Sequence, residues 1–254
     1  MKNFSVSCCM AAFLCLSGSA FAEPPVYFEA PRNRDFAKDL AKNFGGLFSK
    51  DNIAPFAIGA AATGLSVIPE QNVETFFMAN PERAEGVMGP GAHIGDAELI
   101  APAVMGLFTA SMFRHGDARM KSTSYAIAQG FVVNGVVTAG MKATFSRMRP
   151  DGSNDVSFPS GHTSMSFMWA TVLSRNYGLK VGIPAYAVAG YVGASRLQKN
   201  AHHMSDIVAG ATIGYIVGRT VTRHSRKGGR WSRVNWMVAP ARRGFVASVS
   251  FPGP

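Results

Sequence analysis

The feature that most constrains this chain is a series of apolar segments with helical spacing that stop short of a membrane span. They fall at about 53–68, 98–113, 123–147, 161–177, 181–194 and 203–220. Each apolar run is nearer fifteen residues than the roughly twenty a bilayer crossing requires, and most contain Gly, Pro, Asn or Gln. A mean hydropathy of +0.10 is low for six spans. Ahead of them Phe36, Leu40, Phe44 and Leu47 recur with Lys38, Asp39 and Lys42 between. That spacing predicts an amphipathic helix from Asp35, stopped near Gly45-Gly46 or shortly after. Residues 69–97, with Pro69, Pro81, Gly86, Pro90 and Gly91, read as a long polar connection. Near the end Val234, Trp236 and Val238, then Phe245, Ala247, Val249 and Phe251, alternate about a turn at Pro240 to Gly244. The expected fold is all-α: a helical bundle of about six core helices, with an N-terminal amphipathic helix and a short C-terminal β-hairpin.

The first residues have a different character. Lys2, an apolar run from Phe4 to Leu16, and Ser17-Gly18-Ser19-Ala20-Phe21-Ala22 form a secretory signal pattern. The expectation is a signal peptide at 1–22 and a single domain over 23–254. All three cysteines (Cys8, Cys9 and Cys15) fall in the leader. The mature chain would then hold no thiolate nucleophile, no disulfide and no cysteine metal site.

Charge is unevenly placed within a total of +10. No acidic side chain follows Asp206, while Arg219, Arg223, Arg226, Lys227, Arg230, Arg233, Arg242 and Arg243 do. Residues 221–254 therefore form a basic tail. An exported protein is not expected to meet nucleic acid, so an anionic membrane surface or anionic lipid is the expected partner. If the mature N-terminus is outside, three full spans would carry Lys142 and Arg149 to the cytoplasmic side. The expectation is instead a periplasmic bundle, soluble or associated with the membrane surface. Gly210, Gly214 and Gly218 form a small-residue ladder that permits close helix packing in water or lipid.

Chemistry concentrates in three clusters. Lys142 and Arg149 are seven apart, two turns on one stripe if their helix is continuous, with Pro150 to end it. Arg147 lies between them and could equally be a surface residue. Pro159-Ser160-Gly161-His162 precedes a helical run. Ser160 can cap that helix, Gly161 admits a close ligand, and the first N–H groups make an anion site that His162 can face. Ser195-Arg196 is followed by His202, His203 and Asp206. A carboxylate four residues after His202 can hold one imidazole nitrogen and leave the other as a nucleophile. His203, three before Asp206, could pair with it as well, and spacing does not choose. Three cations, two imidazoles and a carboxylate together suit gripping a tetrahedral oxyanion, most simply phosphate.

Taken in order, the clusters closely resemble the type-2 phosphatidic acid phosphatase superfamily, which includes bacterial class A acid phosphatases and vanadium haloperoxidases. Its pattern reads Lys-x6-Arg-Pro, Pro-Ser-Gly-His, then Ser-Arg-x5-His-x3-Asp. Every position is met, by Lys142, Arg149, Pro150, Pro159, Ser160, Gly161, His162, Ser195, Arg196, His202 and Asp206. The strict match covers the motif core, 142–206. The resemblance implies a helical bundle and a metal-independent phosphatase without a cofactor, acting on phosphate monoesters or on lipid phosphates and diphosphates. It also implies roles: His202 as the nucleophile that forms a phosphohistidine, Asp206 as its orienting carboxylate, and His162 as the general acid. Lys142, Arg149, Arg196, Ser160 and the Gly161 amide would hold the phosphoryl oxygens. Two alternatives use the same residues, a vanadate-dependent haloperoxidase and a non-catalytic lipid-binding envelope protein.

Overall fold

A computed structural model describes residues 35–79 and 118–223 in full, together with short backbone strands at 27–28, 226–227, 235–241 and 244–250. The leader at 1–22 and the segment at 98–113 lie outside the described residues. The chain divides into two compact units. Residues 28–225 form one, and residues 1–27 with 226–254 form the other. In the second, β1 (Asn235–Ala241) pairs antiparallel with β2 (Gly244–Ser250), Ala241 opposite Gly244. This is the hairpin that the terminal alternation predicts.

Over residues 35–79 and 118–223 the larger unit is helical, as expected. The helices among its described residues are α1 (Phe36–Leu47), α2 (Ile53–Ser66), α3 (Glu70–Met78), α4 (Ala118–Phe145), α5 (Gly161–Tyr177), α6 (Leu179–Gln198) and α7 (Met204–Val221). Helix α3 corrects the expectation of a long polar connection over 69–97. Pro69 sits at its N-cap and Glu70 opens its first turn, where a carboxylate is favourable beside the helix dipole. The Pro and Gly punctuation of that stretch masked nine helical residues.

The core forms where α1, α4, α5 and α7 meet. Leu47, Ile127, Val133, Met168, Ile216 and Val217 are among its buried side chains. Buried amide NH2 groups inside it find acceptors close by. Gln129 Nε2 donates to the Phe36 carbonyl at 2.8 Å. Asn52 Nδ2 donates to the Leu47 carbonyl at 3.0 Å and to Thr220 Oγ1 at 3.1 Å, tying the α1–α2 corner to α7.

Helix α7 lies directly on α5 along the predicted glycine ladder. A Cβ on Gly210 would stand 2.5 Å from the Ser160 carbonyl oxygen, and one on Gly214 would stand 2.1 Å from that of Ser164. At Gly218 the nearest atom is the Met168 carbonyl oxygen, at 2.7 Å. Side chains cannot occupy this seam, so backbone meets backbone. The result sets the N-terminal ends of both helices side by side, with Ser160 N–H donating to the Asp206 carbonyl at 3.0 Å.

Helix α2 packs more loosely. Only Gly59 and Ser66 are buried on it, and beyond its end Ile68 is 78% exposed. Among the described residues no single helix is long and apolar enough to cross a membrane. The pair Lys50–Ser66 and Glu70–Met78, bent by 59°, reaches that length and composition together.

Gly214→Ala should destabilise the protein by about 1–3 kcal/mol or more, because the seam cannot open without moving backbone. Gly140→Ala, in open space on α4, should instead stabilise it by about 0.5–1 kcal/mol. Urea unfolding of both variants checks the pair, and equal midpoints would contradict backbone contact at Gly214.

Candidate active site

Lys142 stays on α4, in its last turn, but Arg149 does not. Ser146 turns the chain through the left-handed region at φ 39°, and the helix ends at Phe145. The expectation of two cations on one helical stripe is therefore corrected. Arg149 lies in the following loop, where its N–H donates to the Asn154 carbonyl at 2.9 Å. The two cations still meet. Burial and the nearby Arg149 guanidinium push the Lys142 ammonium down to about 8, against the opposing pull of Asp206. Lys142 Nζ donates to the Val156 carbonyl, and its Cε lies 4.0 Å from where a Gly161 Cβ would sit. Arg149 Nε is buried and has no hydrogen-bond partner among the described residues, a donor suited to an anion.

At the start of α5, Ser160 acts as the predicted cap, its Oγ accepting from Thr163 N–H at 3.4 Å. Half-buried His162 follows in the first turn. Arg196 is in the last turn of α6 and buried. From there the chain turns, Ala201 N–H donating to the Arg196 carbonyl at 3.1 Å, and leads to His202.

Helix α7 begins only at Met204, so His202 precedes it and His203 is the N-cap. The expected helical His202–Asp206 pair is corrected accordingly. His202 Nδ1 stands 3.7 Å from Asp206 Oδ2, an ion-pair distance rather than a hydrogen bond. Ser157 fills the gap. Its Oγ donates to Asp206 Oδ2 at 2.5 Å and lies 3.4 Å from His202 Nδ1, so the serine oxygen is placed to accept from an Nδ1–H. The ring then presents Nε2 on its opposite edge.

The same geometry separates the two histidines. His203 turns its ring away, with Nδ1 at 2.6 Å from Glu74 Oε1 and Nε2 at 3.1 Å from the Met148 carbonyl. Its contacts with Asp206 are through the backbone, the N–H donating to Oδ2 at 3.0 Å and the carbonyl accepting from the Asp206 N–H at 3.1 Å.

Asp206 is fully buried and heavily donated to. Arg147 Nη1 donates to Oδ1 at 2.7 Å. Burial alone would raise this carboxyl. The contacts with His202, the Ser157 hydroxyl, the His203 N–H and Arg147 outweigh it and hold the group below the usual carboxylate range. His202 is shifted the other way from a paired histidine. Burial lowers its pKa, Lys142 and Arg149 add to that, and the Asp206 contact only partly opposes them. At neutral pH the ring is thus uncharged, with a lone pair on one nitrogen and two cations nearby. A neutral nitrogen nucleophile facing a cationic pocket suits attack on an oxyanion such as a phosphoryl group. Among the described residues no group of His, Cys, Asp or Glu converges as a metal-ligand set.

Three residues join the cluster that motif reasoning did not find, Ser157, Glu70 and Glu74, and Arg147, whose place the sequence left open, joins it with them. Arg147 is partly buried and tied into the cluster, its Nη2 also donating to Glu70 Oε2 at 2.9 Å. A signal existed in the spacing of Glu70 and Glu74, which puts two carboxylates on one helical face directly after a proline. Ser157 carried no comparable signal.

Residues 123–230 match the sequence profile of the PAP2 superfamily. A lipid A 1-phosphatase of Porphyromonas gingivalis is 41% identical over 90 residues, covering 34% of this chain and 20% of that protein. The "Probable diacylglycerol pyrophosphate phosphatase 1" of Schizosaccharomyces pombe is 35% identical over 81 residues, 26% of this chain and 29% of that protein. The chain thus spans less than a third of the length of these two relatives. The crystal structure of Aquifex aeolicus LpxE aligns with a TM-score of 0.45 at 24% identity, over 62% of this chain and 92% of that one.

The lowered Lys142 ammonium makes anion binding pH-dependent. Tungstate, a tetrahedral dianion throughout the range, should bind more weakly as pH rises through about 8 and Lys142 loses its charge. Lys142→Arg should keep binding to higher pH, because a guanidinium does not titrate there. Calorimetric titration from pH 7 to 9 checks this, and a flat wild-type affinity would contradict it.

Proposed function

Because residues 123–230 belong to the PAP2 superfamily, we propose that the protein is a lipid phosphate phosphatase working without a metal through a phosphohistidine. The observation that carries this reading is neutral, buried His202, with Nδ1 turned toward Ser157 and Asp206 and with Lys142 and Arg149 close by.

In the reaction, His202 Nε2 attacks phosphorus in line with the departing oxygen. The new N–P bond forms as the P–O bond to the alcohol or phosphate leaving group breaks. His162 delivers a proton to that oxygen. Water then attacks the phosphohistidine, gives its proton back to His162, and releases inorganic phosphate and free His202. Lys142, Arg149, Arg196, the Ser160 hydroxyl and the Gly161 N–H bind the three phosphoryl oxygens, whose charge is greatest in the transition state. Asp206 stabilises positive charge on the His202 ring during transfer.

A lipid, rather than a soluble ester, is supported by the surroundings of the site. An apolar cavity of about 430 Å³ is lined by Phe56, Val137, Met141, Phe158, Ile213 and Ile216 among others. Two of its lining residues are sequence neighbours of the site, Met141 directly preceding Lys142 and Phe158 directly preceding the Pro159-Ser160-Gly161-His162 turn. The relatives include proteins named for lipid A and for diacylglycerol pyrophosphate. Exposed Leu65, Val67 and Ile68 at the α2–α3 bend, with the basic C-terminal run, suit an anionic bilayer surface. The export-type leader pattern in the sequence supports a periplasmic side for that surface.

Purified protein should release phosphate from phosphatidic acid in mixed micelles with chelator present. It should prefer that substrate to para-nitrophenyl phosphate in kcat/KM. His202→Ala should lose activity by on the order of 10³-fold or more. Undiminished release by that variant would remove His202 as the nucleophile, and a preference for the soluble ester would remove the lipid assignment.

A further inference from the structure

Helix α3 ends two carboxylates on the same target. Glu70 and Glu74 are one turn apart, and both reach the N-terminal end of α7. Glu70 Oε1 accepts from the Ser205 N–H at 2.9 Å and from the Ser205 hydroxyl, while Oε2 accepts from Arg147 Nη2 at 2.9 Å. Arg147 in turn donates through Nη1 to Ser205 Oγ and Asp206 Oδ1, both at 2.7 Å. Glu74 holds the His203 ring. A continuous chain of charge-assisted contacts thus runs from α3 through Arg147 to Asp206 and, by way of Ser157, to His202.

The arrangement solves an electrostatic problem. A guanidinium placed on a buried carboxylate would cancel the negative charge that His202 needs beside it. Here the fork is shared between two carboxylates, which its planar geometry permits. Two carboxylates around one guanidinium leave a net negative charge. Resting on the phosphatase reading above, we propose that Glu70 and Arg147 are positioning residues for the reaction: they fix Asp206 and keep a negative field on His202.

The other charged groups acting on His202 are Lys142 on α4, Arg149 and Asp151 in the loop after it, and Asp206 itself. His162 on α5 and Arg196 on α6 are further titratable groups on the elements around α7. Neither substitution below alters any of these, so a change in the ring's titration reports on the Glu70–Arg147 pair.

Glu70→Gln retains an oxygen that can accept from the Ser205 N–H, so a purely capping role survives it while the charge does not. Arg147→Met removes the opposite charge. In full-length protein with ¹⁵N-labelled histidine, the His202 ring, assigned with His202→Asn, should titrate at lower pH in Glu70→Gln and at higher pH in Arg147→Met. With phosphatidic acid micelles, kcat should fall about tenfold or more in both while KM changes less than about twofold, as for groups that orient a reacting residue. The acidic limb of the rate profile should move with the ring. Shifts of opposite sign support the proposal. Unshifted titration in either folded variant, or shifts of the same sign, overturns it. If wild-type protein released no phosphate, the phosphatase reading would fail, and the ring titration would still decide the positioning role.

Discussion

The backbone contact between α5 and α7 is the constraint on which the site depends. Gly210, Gly214 and Gly218 let one helix axis come within carbonyl contact of the other. Any side chain there would hold the two apart by more than a hydrogen bond spans. Because the seam begins at Ser160, it fixes the oxyanion turn before α5 against the first turn of α7, and the Ser160–Asp206 backbone bond closes it. Residues far apart in sequence thereby form one pocket from the ends of two rigid helices, where positions are best defined.

On that frame the electrostatics are arranged in layers. Lys142 and Arg149 act on His202, and Asp206 stands beside its Nδ1 edge with Ser157 contacting both. Glu70 and Arg147 form the last layer. Each charge is compensated by the next, so fully buried Asp206 remains ionised. A buried carboxylate without such donors would take up a proton instead. The two shifts at the site answer to the same burial. It favours the uncharged form of His202, the proposed nucleophile, and it weakens the hold on the Lys142 proton that neutral pH leaves in place.

Much of this was readable in the residues, and the parts that were not have identifiable reasons. Helices α5 and α7 were set by strong local signals, a serine cap for one and the glycine ladder for the other. The helical spacing after Pro69 was also present, yet Pro and Gly on either side suggested a connection. The end of α4 was misplaced because Pro150 looked like the natural stop, whereas Ser146 in the left-handed region ends it earlier. Asp206 four residues after His202 suggested a direct helical pair. Tertiary structure instead placed His202 before the helix and let a serine from another loop mediate the contact. Such contacts depend on loops crossing in space, which no local spacing encodes. The motif pattern nonetheless selected His202 over His203, and the ring of His203 is committed to Glu74.

The proposed lipid assignment draws on the apolar cavity lined by Met141 and Phe158 and on the exposed bend between α2 and α3, and the proposed chemistry depends on one bond between nitrogen and phosphorus. Its most direct measurement is mass spectrometry of peptides from protein quenched in alkali during turnover of phosphatidic acid, conditions under which phosphohistidine survives. The predicted result is a phosphoryl adduct on His202 that Asp206→Asn reduces and His202→Ala eliminates. Phosphate release without any adduct, or an adduct on His162 or His203, would contradict it.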